Sequence, residues 1–499
     1  MAREFDLVVL GAGPVGENVV DRARAAGLEV AVVEHELVGG ECSYWACVPS
    51  KTLLRSGAAL RAARRVRGAS DAVTGDVDVA ETLARRDYWV SDWDDRNAVA
   101  WLESVGAVLV RGHGRLQGER RVVVTPPDGG ADEVLVARHA VAVCTGSEPV
   151  VPDVPGLADA RPWISRDATG VRNVPARLAI IGGGVVAVEM ATLYAGFGTR
   201  TTMIVRHGLL GGMEPFAGEA VADGLRALGV ELRQGASPVR VSRDETDAVV
   251  IELDDGGTVT ADEVLVATGR RPRSTGIGVE AVGLEPGSSI TVDDTLAVVG
   301  LDEASAAARN DVDDGDGDRP ERMPWLYAVG DVTGRASFTH QGKYQGRAAG
   351  DVIAARALGR PVDAGRYGIH TATADSVAVP SVVFADPEVG SVGLTAARAA
   401  ARGLAVRTPE VAFSSVTGAG ILADDYEGRA RLVIDDERDV VVGATFVGPD
   451  VAELVHQATI AIVGEVPVRR LWHAVPAFPT MSEVWLRLLE ADGRPEVGG

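Results

Sequence analysis

Two cysteines five positions apart, Cys42 and Cys47, stand beside a Pro-Ser-Lys sequence in the stretch GGECSYWACVPSKTLLR from Gly39 to Arg55. A C-x4-C spacing across the first turn of a helix can bring two sulfurs together, and the positive end of a helix favours a thiolate over a thiol. The pair therefore reads as a redox couple able to cycle between disulfide and dithiol. Zinc is the rival for paired cysteines, but a structural site needs four ligands, and the only other cysteine, Cys144, lies in a distant VCTGS strand end. Three cysteines in 499 residues give no disulfide framework, so in a reducing compartment the pair is catalytic rather than structural. Of 49 basic residues only two are lysines, Lys51 and Lys343, which singles out the lysine inside the cysteine stretch.

The elements around this stretch follow a repeated pattern. Phe5 to Leu10 is an apolar run ending in Gly11-Ala-Gly13-Pro-Val-Gly16, and a helical pattern continues through Ala26. That is strand, tight turn, helix. A second strand, Val30 to Val33, ends in Glu34, where an acidic group accepts the ribose hydroxyls of a dinucleotide. Helical stretches run to Val105, followed by strand-rich sequence from Val108 to Val143 with a Gly112-His113-Gly114 turn. Pro149, Pro152 and Pro155-Gly156 form a stiff connector and mark a domain boundary. A second fingerprint follows at Leu178 to Ile181 and Gly182-Gly-Gly184-Val-Val-Ala187. Its second strand, Thr201 to Val205, ends in Arg206-His207, where an NAD-binding domain carries Asp or Glu. A carboxylate there repels a 2'-phosphate and a guanidinium binds it bidentately; a solvated surface arginine is the alternative reading.

The cysteine stretch, Gly39-Gly40-x-Cys42-x4-Cys47-x-Pro49-x-Lys51, resembles the pyridine nucleotide-disulfide oxidoreductases, the flavoproteins that include dihydrolipoamide dehydrogenase, glutathione reductase and mercuric reductase. The resemblance covers nearly the whole chain. It implies an α/β fold of two Rossmann-like dinucleotide-binding domains plus a C-terminal α+β interface domain: FAD-binding parts at 1–155 and 273–372, an NADP-binding domain at 156–272 and a dimerisation domain at 373–499. It assigns FAD to Gly11, Gly13, Gly16, Glu34, Gly40, Lys51, Gly114, Thr145, Gly146, Ser147, Gly330, Asp331 and Thr339 and the nicotinamide cofactor to Gly182, Gly184 and Ala187; Gly269, in the strand that returns to the FAD domain, is a further cofactor-binding residue, and Arg206 and His207 are the candidates for the NADPH phosphate. Hydride passes from NADPH through FAD to Cys47, the flavin-proximal sulfur, and Cys42 is the interchange thiol. Lys51 and Glu189 match the ion pair beside the flavin. Two further segments, PSVVFADPEVGSVG and VVVGATFVGPDVAELVHQATIAI, resemble the interface domain, which implies a homodimer.

The match fails at the end of the chain. Relatives read His-Pro-Thr-x-x-Glu, with His as general base and Glu as its orienter; here the residues are Phe478-Pro479-Thr480-Met481-Ser482-Glu483. Phenylalanine accepts no proton, and general-base assistance is typically worth roughly 10^2 to 10^4 in rate. His473 is the nearest replacement imidazole in sequence. The tail LRLLEADGRPEVGG has no cysteine pair of the kind mercuric reductase uses. Phe478 also resembles 2-ketopropyl-coenzyme M oxidoreductase/carboxylase, although Glu483 departs from that analogy. Tyr44 and Trp45, between the cysteines, either narrow access to Cys42 or pack.

A net charge of -22 argues against nucleic acid and anionic membranes as partners. No run of 18 apolar residues and no cleavable leader is seen, which points to a cytoplasmic protein. The acidic insertion at 300–322 invites a calcium reading, but an EF-hand loop begun at Asp311 would have Asp316 in place of Gly and Arg322 in place of Glu. A mobile solvated loop is expected there, with no metal. The sequence thus points to an NADPH-preferring, FAD-dependent reductase of a disulfide or other small acceptor, with a carboxylase-type lyase and a diaphorase as alternatives.

Overall fold

The computed structural model describes residues 2–301 and 323–494; beyond Leu301 the acidic insertion lies outside the described residues. The chain forms two compact units, one of Met1–Val48, Val90–Glu148 and Arg270–Asp375, the other of Pro49–Trp89, Pro149–Gly269 and Ser376–Gly499.

In the first unit, β1 (Arg3–Leu10), α1 (Pro14–Ala25) and β2 (Val30–Glu34) form the expected strand, turn and helix. β1 pairs in parallel with β2, Leu7 opposite Val30 and Leu10 opposite Val33, and on its other side with the strand Glu133–Val143. The unbroken apolar run of β1 has a physical reason. Leu7 and Val9 enter one core with Val19, Val32 and Ala349, while Val8 and Leu10 enter a second with Val33, Val124 and Val141. A parallel sheet covered on both faces has no solvent side to alternate with. Val108–Arg111 pairs with β2, Leu326–Ala328 joins Glu133–Val143, and antiparallel strands Arg121–Thr125 and His113–Leu116 complete the seven-stranded sheet.

The helix Thr339–Ala357 lies against α1 at backbone distance. A Cβ added to Gly346 would stand 2.7 Å from the Val15 carbonyl oxygen, and one on Gly350 would stand 2.8 Å from that of Val19. Residues four apart share one helix ridge, so small residues at these places let the two helices approach closely.

In the second unit, Arg177–Ile181, Arg200–Val205, Glu231–Gln234 and Glu263–Val266 make a four-stranded parallel sheet, and the helix Val185–Gly196 follows Gly184. Its C-terminal part is a six-stranded antiparallel sheet centred on Glu388–Gly393, Val440–Gly448 and Arg429–Asp435. Helices Leu454–Val463 and Val484–Asp492 cover it through Leu454, Ala458, Trp485 and Leu488, which pack with Phe413 and Phe446.

Candidate redox site

The cysteine stretch departs from a single helix. Gly39 and Gly40 both take left-handed conformations, with φ of 110° and 60°, and open a short helix α2 (Gly40–Tyr44). Trp45 then leaves the helical region at φ -135°, and the N–H groups of Trp45 and Ala46 both donate to the Glu41 carbonyl. A new helix, α3 (Cys47–Arg64), begins at the second cysteine. The expectation that both cysteines share one helical turn is therefore corrected: α2 ends at Tyr44, Trp45 leaves the helical region, and Cys47 opens α3. Gly40 also needs to be glycine for space, since a Cβ there would meet the Cα of Gly13 at 2.7 Å. Tyr44 is buried and accepts the Trp93 indole N–H at its carbonyl, and its ring lies 5.7 Å from that of Trp45.

The structure holds the pair as two thiols. The hydrogen bond to Cys47, and then burial, push the Cys42 thiol above its ordinary value, while Thr339 and Lys343 pull it back. The hydroxyl of Thr339 stands 3.3 Å from the Cys47 sulfur. Cys144 is buried and its thiol is pushed up by desolvation alone, the environment of an inert cysteine.

The glycines and carboxylates of the first unit fit a dinucleotide. A Cβ on Gly16 would overlap the Gly11 carbonyl oxygen at 1.9 Å, so the turn closes only with glycine and leaves backbone N–H groups at the start of α1. Glu34 ends β2 and accepts the Ala12 and Glu36 N–H groups at 2.9 and 2.8 Å. Burial opposes its ionisation, but these bonds and His35 outweigh it and hold its pKa below the ordinary value. Asp331 accepts from the Ser147 hydroxyl at 2.6 Å, and Arg270 donates to the same hydroxyl and to the Ser147 carbonyl, both at 2.8 Å. The Thr145 hydroxyl donates to the Arg273 carbonyl at 2.6 Å. Gly114 packs on Leu10 and Val33.

Four polar residues here escaped sequence reasoning. Arg270 reaches Glu41 of α2 at 3.7 Å. Gln345 accepts the Gly330 N–H at 2.7 Å and donates at 2.9 Å to Asp375, which also takes Gln341 at 2.8 Å. Only the helical spacing of Gln341 and Gln345 hinted at a shared partner.

In the second unit Lys51 donates to Glu189 at 2.6 Å, and the other carboxylate oxygen accepts the Phe384 N–H at 3.1 Å. The pair expected from sequence is thus brought together, with Glu189 buried and the Lys51 ammonium 5.3 Å from the Phe384 ring centre. Gly182 has φ of 136° and approaches the Ala267 carbonyl, Ala187 is buried in the following helix, and Gly184 caps it. Gly269 has φ of 145°, and its carbonyl accepts the Val150 N–H. Arg206 and His207 are exposed after the strand Arg200–Val205. Phe478 is 72% exposed and Val475 85%, and His473 is exposed too. Glu483 is buried and already engaged: Arg487, one turn on, donates to it at 2.6 Å and the Thr417 N–H at 3.3 Å.

The model of the pyridine nucleotide-disulphide oxidoreductases matches residues 5–346, and that of their dimerisation domain matches 379–488. The chain belongs to this family: it is a pyridine nucleotide-dependent, FAD-containing disulfide oxidoreductase of the class I flavoprotein type. Among its relatives, the dihydrolipoyl dehydrogenase of Halobacterium salinarum is 30% identical over 97% of this chain and 95% of its own length. The mercuric reductase of Shigella flexneri is 30% identical over 96% of this chain and 79% of its own. Two solved structures share the fold. The Cu(II) complex of the HOCl-induced flavoprotein disulfide reductase RclA from Escherichia coli has a TM-score of 0.79 at 21% identity, covering 98% of this chain and 99% of that one. LpdA from Mycobacterium tuberculosis has a TM-score of 0.79 at 23% identity, with coverages of 97% and 98%. Among the described residues no helix is long and apolar enough to cross a membrane.

The Glu34–His35 contact makes the first unit sensitive to pH. His35 Nδ1 lies 3.2 Å from Glu34, and that hydrogen bond raises the His35 pKa above its ordinary 6.5. A raised histidine adds stability fully present below 6.5, and it is lost as pH rises through the folded-state value. In FAD-free protein, His35→Gln is expected to melt about 1–2 °C below wild type near pH 6, a small gap because the ring is half exposed. Melting curves between pH 5.5 and 8.5 should show the gap closing toward alkaline pH; a constant gap contradicts this origin.

Proposed function

We propose that the protein, as a homodimer, carries reducing equivalents from NADPH through FAD to the Cys42–Cys47 couple and on to a disulfide or another small acceptor. The observation that carries the reading is the sulfur pair itself, with Cys47 at the start of an 18-residue helix and the Thr339 hydroxyl 3.3 Å from its sulfur. Bound FAD supplies the two-electron relay between nicotinamide and disulfide. Breaking the disulfide with two electrons and one proton leaves a thiolate on Cys47, which the α3 N-terminus and the Thr339 hydroxyl stabilise, and a thiol on Cys42. Cys42 is the sulfur that meets the acceptor. Lys51, oriented by Glu189 and Phe384, supplies the fixed positive charge for the reducing half of the cycle. The dimerisation-domain match and the exposed Phe478 and Val475 support pairing through the C-terminal part.

Phe478 favours a second reading for the outgoing half. An acceptor that needs no proton abstraction, such as a quinone or a metal ion, suits a site with no imidazole, and a mercuric reductase stands among the relatives. Carboxylation after thioether cleavage is the other chemistry that an apolar residue in the base's place would permit.

Anaerobic NADPH titration tests the core of the proposal. Accessible thiols are expected to rise by two, all of it lost in Cys42→Ser; an unchanged count rules out the redox disulfide. Exposed Arg206 and the lack of an acid beside it support NADPH. Stopped-flow flavin reduction should be faster with NADPH than with NADH, and Arg206→Glu should cut that preference at least tenfold, the scale of one lost charge-assisted phosphate contact. Equal rates with both nucleotides refute the clamp. Turnover of lipoamide or glutathione disulfide should be slow, and Phe478→His should raise it about 3- to 10-fold. The gain falls short of the roughly 10^2–10^4 of a full general base, because Arg487 already occupies Glu483. An unaltered rate places proton transfer elsewhere, with His473 the next residue to change.

A further inference from the structure

One short segment, Ser91 to Asp95, grips the cysteine stretch on both sides of Cys42. Upstream, the Asp95 carboxylate accepts the Val38 N–H at 2.8 Å, just before Gly39 and Gly40. Downstream, the Trp93 indole N–H donates to the Tyr44 carbonyl at 3.2 Å, where α2 ends. The grip is anchored in the sheet. Arg111, opposite Glu34 in the strand Val108–Arg111, is paired with Asp95 and donates to the Glu36 carbonyl. The segment then runs into the helix Arg96–Ser104, whose Leu102 shares a core with Val32.

A helix that stops at Tyr44 leaves its last carbonyls without partners inside it. It has to stop, because in a continuous helix the ring of Pro49 would clash with the carbonyl four residues back, that of Trp45. The Trp93 indole takes the place of the missing turn. The backbone that presents it is strained: Ser91, Asp92 and Trp93 have φ of 51°, 50° and 57°, three successive left-handed residues with no glycine among them. Such a conformation persists only where its surroundings dictate it. Here the Trp93 N–H donates to the Val90 carbonyl and the Asp94 N–H to the Ser91 carbonyl, both at 2.9 Å, and the turn they close delivers Trp93 and Asp95 to the two ends of the grip.

We infer that Trp93 and Asp95 are positioning residues for the redox couple, a brace that holds Cys42 facing Cys47 and thereby sets the reduction potential of the pair. This rests on the redox role of the pair. Cys42 lies between the two grips and is hydrogen-bonded to Cys47. Cys47 is positioned separately, by the start of α3 and by the Thr339 hydroxyl at 3.3 Å, so the brace acts on the Cys42 side. Two thiols fixed face to face have a high effective concentration for each other, and closing their disulfide then forfeits little entropy. Releasing α2 lowers that concentration, weakens the disulfide relative to the dithiol and makes the pair easier to reduce.

The test equilibrates FAD-loaded enzyme anaerobically with dithiothreitol at graded ratios of its dithiol to its cyclic disulfide. Each exchange breaks the Cys42–Cys47 bond, closes the reagent's ring and moves two electrons and two protons to the protein sulfurs. Thiols are quenched with acid, alkylated and counted by mass spectrometry on the peptide that holds both cysteines. Trp93→Phe keeps an aromatic ring but removes the N–H, and should favour the dithiol about 3- to 10-fold, a potential about 15–30 mV less negative. Asp95→Ala should move it in the same direction. Val122→Ala, at a buried position in the strand Arg121–Thr125 on the far side of the seven-stranded sheet, should lower the melting temperature and leave the potential at the wild-type value. An unshifted or more negative potential in Trp93→Phe overturns the inference. An equal shift in Val122→Ala also overturns it, because the potential would then follow stability alone. Wild-type enzyme that gains no thiols at any ratio refutes the redox disulfide itself, and the brace with it.

Discussion

The backbone contact between Gly13 and Gly40 is the constraint on which the redox unit depends. With no side chain on either residue, the turn that leads into α1 and the turn that opens α2 meet directly, and a single added carbon would come within 2.7 Å of the Gly13 Cα. The same contact fixes where the cysteines begin. Gly40 opens α2 at this contact, Trp45 ends it after one helical turn, and Cys47 falls at the start of a fresh helix.

Polar groups complete what the glycines begin. Asp331, Ser147, Arg270 and Glu41 form a chain of hydrogen bonds and charge that ties the Gly330–Asp331 turn to α2. Asp375, through Gln345, satisfies the N–H of Gly330 from the opposite side. Buried groups of this kind are costly unless paired, so each link restricts the others. The turn between Leu326–Ala328 and the following helix is held at both ends, and that helix carries Thr339 to Cys47.

What the sequence made legible was whatever repeats locally. The two glycine fingerprints, the continuous apolar strands and the acid at the end of β2 declare themselves within about thirty residues, because a strand, a tight turn and a helix each impose their own period. The Lys51–Glu189 contact was legible only through family resemblance, since 138 residues separate the partners. The break at Trp45 and Ala46 was not legible: a C-x4-C spacing suits one helical turn as well as a helix end and a new start, and only the left-handed glycines decide between them. Arg270 and Asp375 left no trace, and Gln345 none beyond its spacing from Gln341, for a related reason. Gln345 reaches Gly330 across 15 residues, Arg270 reaches Ser147 across 123 and Glu41 farther still, and no periodicity marks contacts across such distances. The engagement of Glu483 by Arg487 was within reach of sequence, since residues four apart on a helix share a face.

The scarcity of lysine gives the molecule an unusual chemical map. Arginine covers the surface, so acylating agents that seek amines find, apart from the α-amino group, only Lys51 and Lys343. One is tied to a buried glutamate and the other lies exposed on the helix that brings Thr339 to Cys47. Amine labelling, which on most proteins reports on the whole exterior, becomes here a readout of two positions only, one on the helix that starts at Cys47 and one on the helix that starts at Thr339.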